Sequence, residues 1–131
     1  MPVPMSLPMS LRLEIFPESL DRTVDFYTRV LGFRIVRDDR SAEAPYAELR
    51  RDEVRLGAVA RPGQVRAGST GRRPPTGVEI VLEVDDVVAE RDRVHAAGWP
   101  LDEDVRRRPW GLTDFRLVDP DGYYLRLTSR E

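Results

Sequence analysis

One arrangement of residues occurs twice along this chain, and the duplication limits the folds open to it. Leu11–Phe16 alternates, with Leu11, Leu13 and Ile15 on one face and Arg12, Glu14 and Phe16 on the other, the period of a strand with one buried side. Ser19 is placed to cap a helix in which Leu20, Val24, Tyr27 and Leu31 recur at helical spacing, and Gly32 stops it. Phe33–Arg37 is apolar and β-branched enough for a second strand. Tyr46–Arg50 and Val54–Val59 flank Arg51-Asp52-Glu53 and predict a hairpin. The pattern then restarts. In Val78–Val84, Val78, Ile80, Leu82 and Val84 share one face, and Glu79, Val81 and Glu83 the other. Asp85-Asp86 can cap a helix over 87–97 that ends at Gly98, and short strands are predicted near 104–107, 113–118 and 123–128. Asp119-Pro120-Asp121-Gly122 supplies the turn between the last two. Aligning Leu20 with Val87 gives an offset of 67, and aligning Gly32 with Gly98 gives 66. A unit whose sheet is covered on its apolar side by its own helix, used twice, predicts an α+β fold. Its architecture is two tandem βαβββ modules forming a curved mixed sheet around a cleft, with helices outside.

The expected organisation is an extended arm over 1–10, a first module over 11–60, a linker over 61–76 and a second module over 77–131, all within one domain. The arm, MPVPMSLPMS, reads either as a frayed end or as a strand that docks on a partner subunit. It lacks the basic start and continuous apolar stretch of a signal peptide, and no segment approaches the ~20 apolar residues of a membrane span. The expected setting is cytoplasmic. A net charge of −2 argues for neither a nucleic acid nor a membrane partner. All 21 basic residues are Arg, which reads as a compositional bias of the coding sequence. The absence of Cys removes disulfides, thiolate metal sites and a Cys nucleophile together.

Two stretches carry a family resemblance. SLDRTVDFYTRVLGF (19–33) resembles the first helix of glyoxalase/bleomycin-resistance (vicinal oxygen chelate) proteins, with their "FY-x-x-x-LGF" wording. RPWGLTDFRLVDPDGYYLRL (108–127) is similar to the closing hairpin of the same superfamily. With the repeat, the likeness extends over about residues 11–128. It implies two curved modules and a U-shaped cleft, often completed by a second subunit. It also implies one of two groups. Metalloenzymes include glyoxalase I, extradiol dioxygenases and fosfomycin-inactivating transferases. Metal-free proteins sequester drugs such as bleomycin, commonly as homodimers.

The resemblance further implies four metal-ligand positions, on the first and last strand of each module, and these fall on Arg12, Gly57, Glu79 and Arg126. A divalent ion needs three or four His, Asp or Glu donors at ~2.0–2.5 Å. One of the four positions carries a donor, and guanidinium cannot deprotonate to become one. The expectation is therefore no metal and no cofactor. A metal-free small-molecule binding protein is expected, in the manner of antibiotic sequestration and resistance, as a homodimer. The alternative is a glyoxalase-like lyase, isomerase or dioxygenase-type enzyme of secondary metabolism, with Glu79 as its acid–base group.

Arg12, Glu79 and Arg126 are expected to converge where the ion normally sits. Two readings stand: a self-neutralising cluster that fills the cleft floor, or planar forks for an anionic or carbonyl-rich ligand. Strand alternation adds Glu14, Phe16, Tyr46, Glu48, Arg50, Arg55 and Gly57 from the first module, and Glu83, Arg116 and Tyr124 from the second, to the cleft-facing set. Trp110 is either a packing aromatic or a stacking platform at the cleft mouth. Trp99 is expected in the core, His95 on the surface, and Arg106-Arg107-Arg108 at a solvated edge. No Ser or Thr has a His partner, and no phosphate loop is present.

Overall fold

The computed structural model describes residues 7–60 and 75–130. Most of the expected arm and nearly all of the expected linker lie outside the described residues. The first module comprises β1 (Leu13–Ile15), α1 (Leu20–Asp25), a π-helical turn (Phe26–Val30), β2 (Arg34–Asp39), β3 (Tyr46–Arg51) and β4 (Val54–Val59). The second comprises β5 (Ile80–Val84), α2 (Val87–Ala96), β6 (Glu103–Arg107), β7 (Thr113–Val118) and β8 (Tyr124–Ser129). Each makes its own four-stranded mixed sheet, ordered β1-β4-β3-β2 and β5-β8-β7-β6, with the first strand parallel to the last. The α+β fold of two tandem modules is as the repeat predicts.

Local chemistry sets the element ends. The Ser19 hydroxyl accepts from the Arg22 N–H at 3.3 Å, and the Asp86 carboxylate accepts from the Ala89 N–H at 3.0 Å, so both predicted caps form. Gly32, at φ +75°, ends the first helical segment. A side chain there would also collide, since a Cβ would lie 2.3 Å from Arg93 Nη1. The predicted single helix over 20–31 is instead α-helical for its first half and π-helical for its second. The wider turn sends Phe26 and Tyr27 both inward, where their rings meet edge to face at 4.9 Å. Periodicity at 3.6 residues has no means of announcing that extra residue.

The apolar sides of both sheets and the helices that cover them form one core. It runs from Ile15, Leu49 and Leu56 of the first sheet to Phe115, Leu125 and Leu127 of the second, all nearly or fully buried. The modules meet through contacts made from corresponding hairpins. Arg51, at the end of β3 where the hairpin to β4 begins, makes an ion pair with Glu90 of α2 and donates to the Leu31 carbonyl at 2.8 Å. Correspondingly, Asp121, in the turn between β7 and β8, accepts from Thr23 of α1 at 3.2 Å and from the Glu18 N–H at 2.9 Å. Phe26 packs on Trp99 at 4.7 Å between centroids, and the Trp99 indole N–H donates to the Val118 carbonyl at 2.8 Å. Each final hairpin thus grips the other module's helix. Both apolar sheet faces look into the shared core, so both polar faces are turned away from it.

Candidate functional site

On the first polar face, strand alternation places Arg12 and Glu14 at β1, Tyr46 and Glu48 on β3, and Arg55 and Gly57 on β4. Register sets Glu14 beside Gly57 and Gly57 opposite Glu48. The Glu14 carboxylate lies over Gly57, where a Cβ would stand 2.2 Å from Glu14 Oε2. It pairs with Arg12 at 2.8 Å, and its Oε2 is buried without a hydrogen-bond partner. Burial, and next the Glu14 charge, push the Tyr46 phenol above its ordinary value, which keeps it a donor at neutral pH. Arg55 reaches back to the Ser10 hydroxyl at 2.8 Å, fixing the chain just ahead of β1. Phe16 is partly buried at the end of β1.

The second polar face is more heavily cross-linked. Arg126 on β8 pairs with Glu79 at 2.9 Å and stands directly opposite Arg116 on β7. Arg116 lies 3.4 Å from Glu103 and 3.6 Å from Asp114. Tyr124 donates to Asp102 at 3.0 Å, and burial is the main cause that pushes its phenol up. Asp114 is fully buried, and Arg108 Nε donates to its Oδ1 at 2.9 Å. Arg108 Nη2 donates to Glu103 at 3.2 Å.

The expected convergence is therefore made only in part. Glu79 and Arg126 meet; Arg12 pairs with Glu14 instead. No ion pair among the described residues joins Arg12 to Glu79 or Arg126, because the two polar faces point away from one core. The edge expected over Arg106–Arg108 needs correcting too. Arg106 and Arg107 are exposed, but Arg108 is 8% exposed. A run of three arginines gives no sign of which one turns inward. The available clue was Asp114, the one acid of β7, on the same face as Arg116. Trp110 is 56% exposed, Trp99 packs partly buried against the core, and His95 is exposed. Among the described residues no three of His, Asp or Glu gather as a metal cluster would require. A groove of about 770 Å³ between the modules is lined by Leu31, Phe33, Val54 and Leu127, by Asp85 and Asp86, and by Glu83 of the expected cleft-facing set.

A repeated βαβββ unit with a helix-covered sheet in each half defines the glyoxalase-like class of folds. The chain belongs to the Glyoxalase/Bleomycin resistance protein/Dioxygenase superfamily, whose family model matches residues 11–127. A relative from Vibrio cholerae, named a probable lactoylglutathione lyase, is 30% identical over 115 residues, spanning 86% of this chain and 83% of its own. TioX from Micromonospora sp. ML1 superposes with a TM-score of 0.77 at 23% identity, covering 95% of this chain and all of its own. TnmS3 from Streptomyces sp. CB03234, described as an antibiotic binding protein, superposes at 0.70 and 19% identity, covering 97% of this chain and 99% of its own. At those identities the two structures establish the fold alone.

At the four positions where the resemblance implies a metal ion, the residues here do not fit one. Gly57 has no side chain, and the Glu14 carboxylate occupies the space above it. Arg12 and Arg126 bring fixed positive charge. The remaining donor, Glu79, is engaged by Arg126 at 2.9 Å. On either face, a guanidinium group beside a cation opposes its binding.

Proposed function

We propose that this chain is a metal-free small-molecule binding protein that sequesters an antibiotic-like natural product on its polar sheet faces. One observation carries the reading. Three of the four positions where superfamily enzymes hold their ion carry Arg12, Gly57 and Arg126, and the fourth, Glu79, is tied to Arg126. The faces suit a polar, partly planar molecule. Arg12, Arg116 and Arg126 offer guanidinium forks, Tyr46 and Tyr124 offer phenols, Phe16 and Trp110 offer aromatic surface, and Glu14, Glu48, Arg55 and Glu79 complete the hydrogen-bonding set. The description of TnmS3 as an antibiotic binding protein supports the same reading.

The working unit in this reading is a cytoplasmic homodimer. Each chain supplies two outward half-sites, and among the described residues β1 and β5 each bond a neighbour on one side only. A second copy that meets both open edges joins the first half-site of one chain to the second half-site of the other. Sedimentation should then give twice the chain mass.

The test is a screen of natural products by melting temperature and tryptophan fluorescence, run with EDTA and again with zinc, nickel or manganese. The expected result is a metal-independent hit whose affinity falls about tenfold or more in Trp110→Ala, as for a buried aromatic contact. The Vibrio cholerae relative favours a second reading, a lyase acting on a glutathione adduct. Metal-dependent turnover of the methylglyoxal–glutathione adduct, abolished in Glu79→Gln, would establish that reading and overturn the first.

A further inference from the structure

Arg108 stands out from its neighbours. It closes the strand before a tight turn, Arg108-Pro109-Trp110-Gly111, in which the Gly111 N–H donates to the Arg108 carbonyl at 3.0 Å. The Arg108 N–H donates in turn to the Leu112 carbonyl at 2.8 Å. Proline at the second turn position fixes one φ in advance, and Gly111 takes φ +96°. The turn is therefore internally defined, and the β6–β7 ladder, paired up to Arg107 and Thr113, holds its base. A second hold comes from the Arg108 side chain, which folds back instead of following Arg106 and Arg107 into solvent.

Its guanidinium reaches two strands together. Nε and Nη2 meet Asp114 Oδ1 of β7 at 2.9 and 2.8 Å, and Nη2 meets Glu103 of β6 at 3.2 Å. The Asp114 side chain is wholly inaccessible, and its Oδ2 has no hydrogen-bond partner. Arg108 is thus the nearest countercharge of a carboxylate that water does not reach, with Arg116 further off at 3.6 Å. Such a pair is costly to assemble and costly to break, so it fixes geometry more firmly than exposed pairs do. Two residues along the chain, Trp110 is more than half exposed on the same turn.

We propose that Arg108, held by Asp114 and Glu103, is a positioning residue that presets Trp110 as a rigid platform for flat, conjugated ligands. The purpose assigned to the platform rests on the binding reading above; the rigidity does not. A platform already ordered before binding spares the ligand the entropy of ordering it. Lysine cannot replace the fork, because one ammonium cannot span Asp114 and Glu103 with the same planar geometry.

The experiment uses the full chain labelled with 5-fluorotryptophan, whose two fluorine resonances are assigned with Trp110→Phe. Ligand-free Arg108→Lys and Asp114→Asn are compared with the parent. The expected result is a Trp110 resonance that narrows and shifts toward that of free 5-fluorotryptophan, while the Trp99 resonance stays in place. Loss of both environments in one variant marks general unfolding, and the other variant then decides. An unchanged Trp110 resonance in a folded variant overturns the proposal. If Trp110 is loosened but Trp110→Ala binds every screen hit as the parent does, positioning stands and the binding reading falls.

Discussion

The two modules share one backbone plan and treat charge differently. In the first module the ionic contacts are local and half-exposed: Arg12 with Glu14 on the polar face, and Arg40 with Asp38 and with Asp21 of α1. On the second, Arg108, Asp114, Glu103 and Arg116 form a network whose centre is buried. The contrast extends to the turns that lock the modules together. The first module's turn uses one arginine on Glu90 and the Leu31 carbonyl. The second uses the Asp119-Pro120-Asp121-Gly122 turn as a hub. Tyr27 donates to Asp119 Oδ2 at 2.8 Å, and the Asp121 and Tyr123 N–H groups donate to its Oδ1 at 2.8 and 3.0 Å. Duplication supplied the scaffold twice, and the second copy carries the larger share of buried polar chemistry.

The turns give the largest way to break this comparison. Asp119→Ala strands the Tyr27 hydroxyl and two N–H groups at a site only 3% exposed. A loss of about 3 kcal/mol is expected, the scale for unsatisfied buried donors to a charged acceptor. Arg51→Ala, at the counterpart turn, leaves Glu90 and the Leu31 carbonyl without their partner. It should cost about 2 kcal/mol, less because both side chains of that pair retain some solvent contact. Chemical denaturation of both variants checks the order, and equal losses would erase the asymmetry.

A smaller effect sharpens the contrast between the polar faces. In Gly57→Ala the new methyl must push the Glu14 carboxylate aside and so break its pairing with Arg12. The expected cost is about 1 kcal/mol, since a half-exposed pair contributes little and the side chain can move. Combining Gly57→Ala with Glu14→Ala should cost less than the two separate losses added together. Strict additivity in that double-mutant cycle would show that Glu14 does not occupy the space over Gly57.

How much of this the residues announced depends on the kind of interaction. Alternation and helix stops placed β4 and β7 at the observed ends, because one-sided burial and left-handed glycines are local properties. The polar-face residues from Arg12 to Arg126 follow from the same alternation. Long-range charge pairing does not. Nothing near Arg12 says that it takes Glu14 in preference to Glu79, since that choice depends on how two modules pack. Arg108 was hidden in a basic run for the same reason: its partners, Asp114 and Glu103, arrive through strand pairing.

Acid gives the finest comparison, because one carboxylate from each module responds with opposite sign. Burial raises Asp119 above the ordinary 3.8 despite its hydrogen bonds, so the native chain holds that proton more readily than the unfolded one. Its contribution to stability is complete below 3.8 and is lost as pH rises through the raised value. Asp38 is lowered to about 2, mainly by its hydrogen bond from the Arg40 side chain, so its contribution is present above 3.8 and lost on descent toward 2. Lowering the pH from 7 should therefore raise the parent's melting temperature relative to Asp119→Asn. It should lower it relative to Asp38→Asn, by a smaller amount that 1 M salt reduces because that pair is exposed. Parallel curves for the parent and Asp119→Asn would show that the hub carboxylate is not desolvated, and would remove the distinction between buried charged groups in the second module and solvated ones in the first.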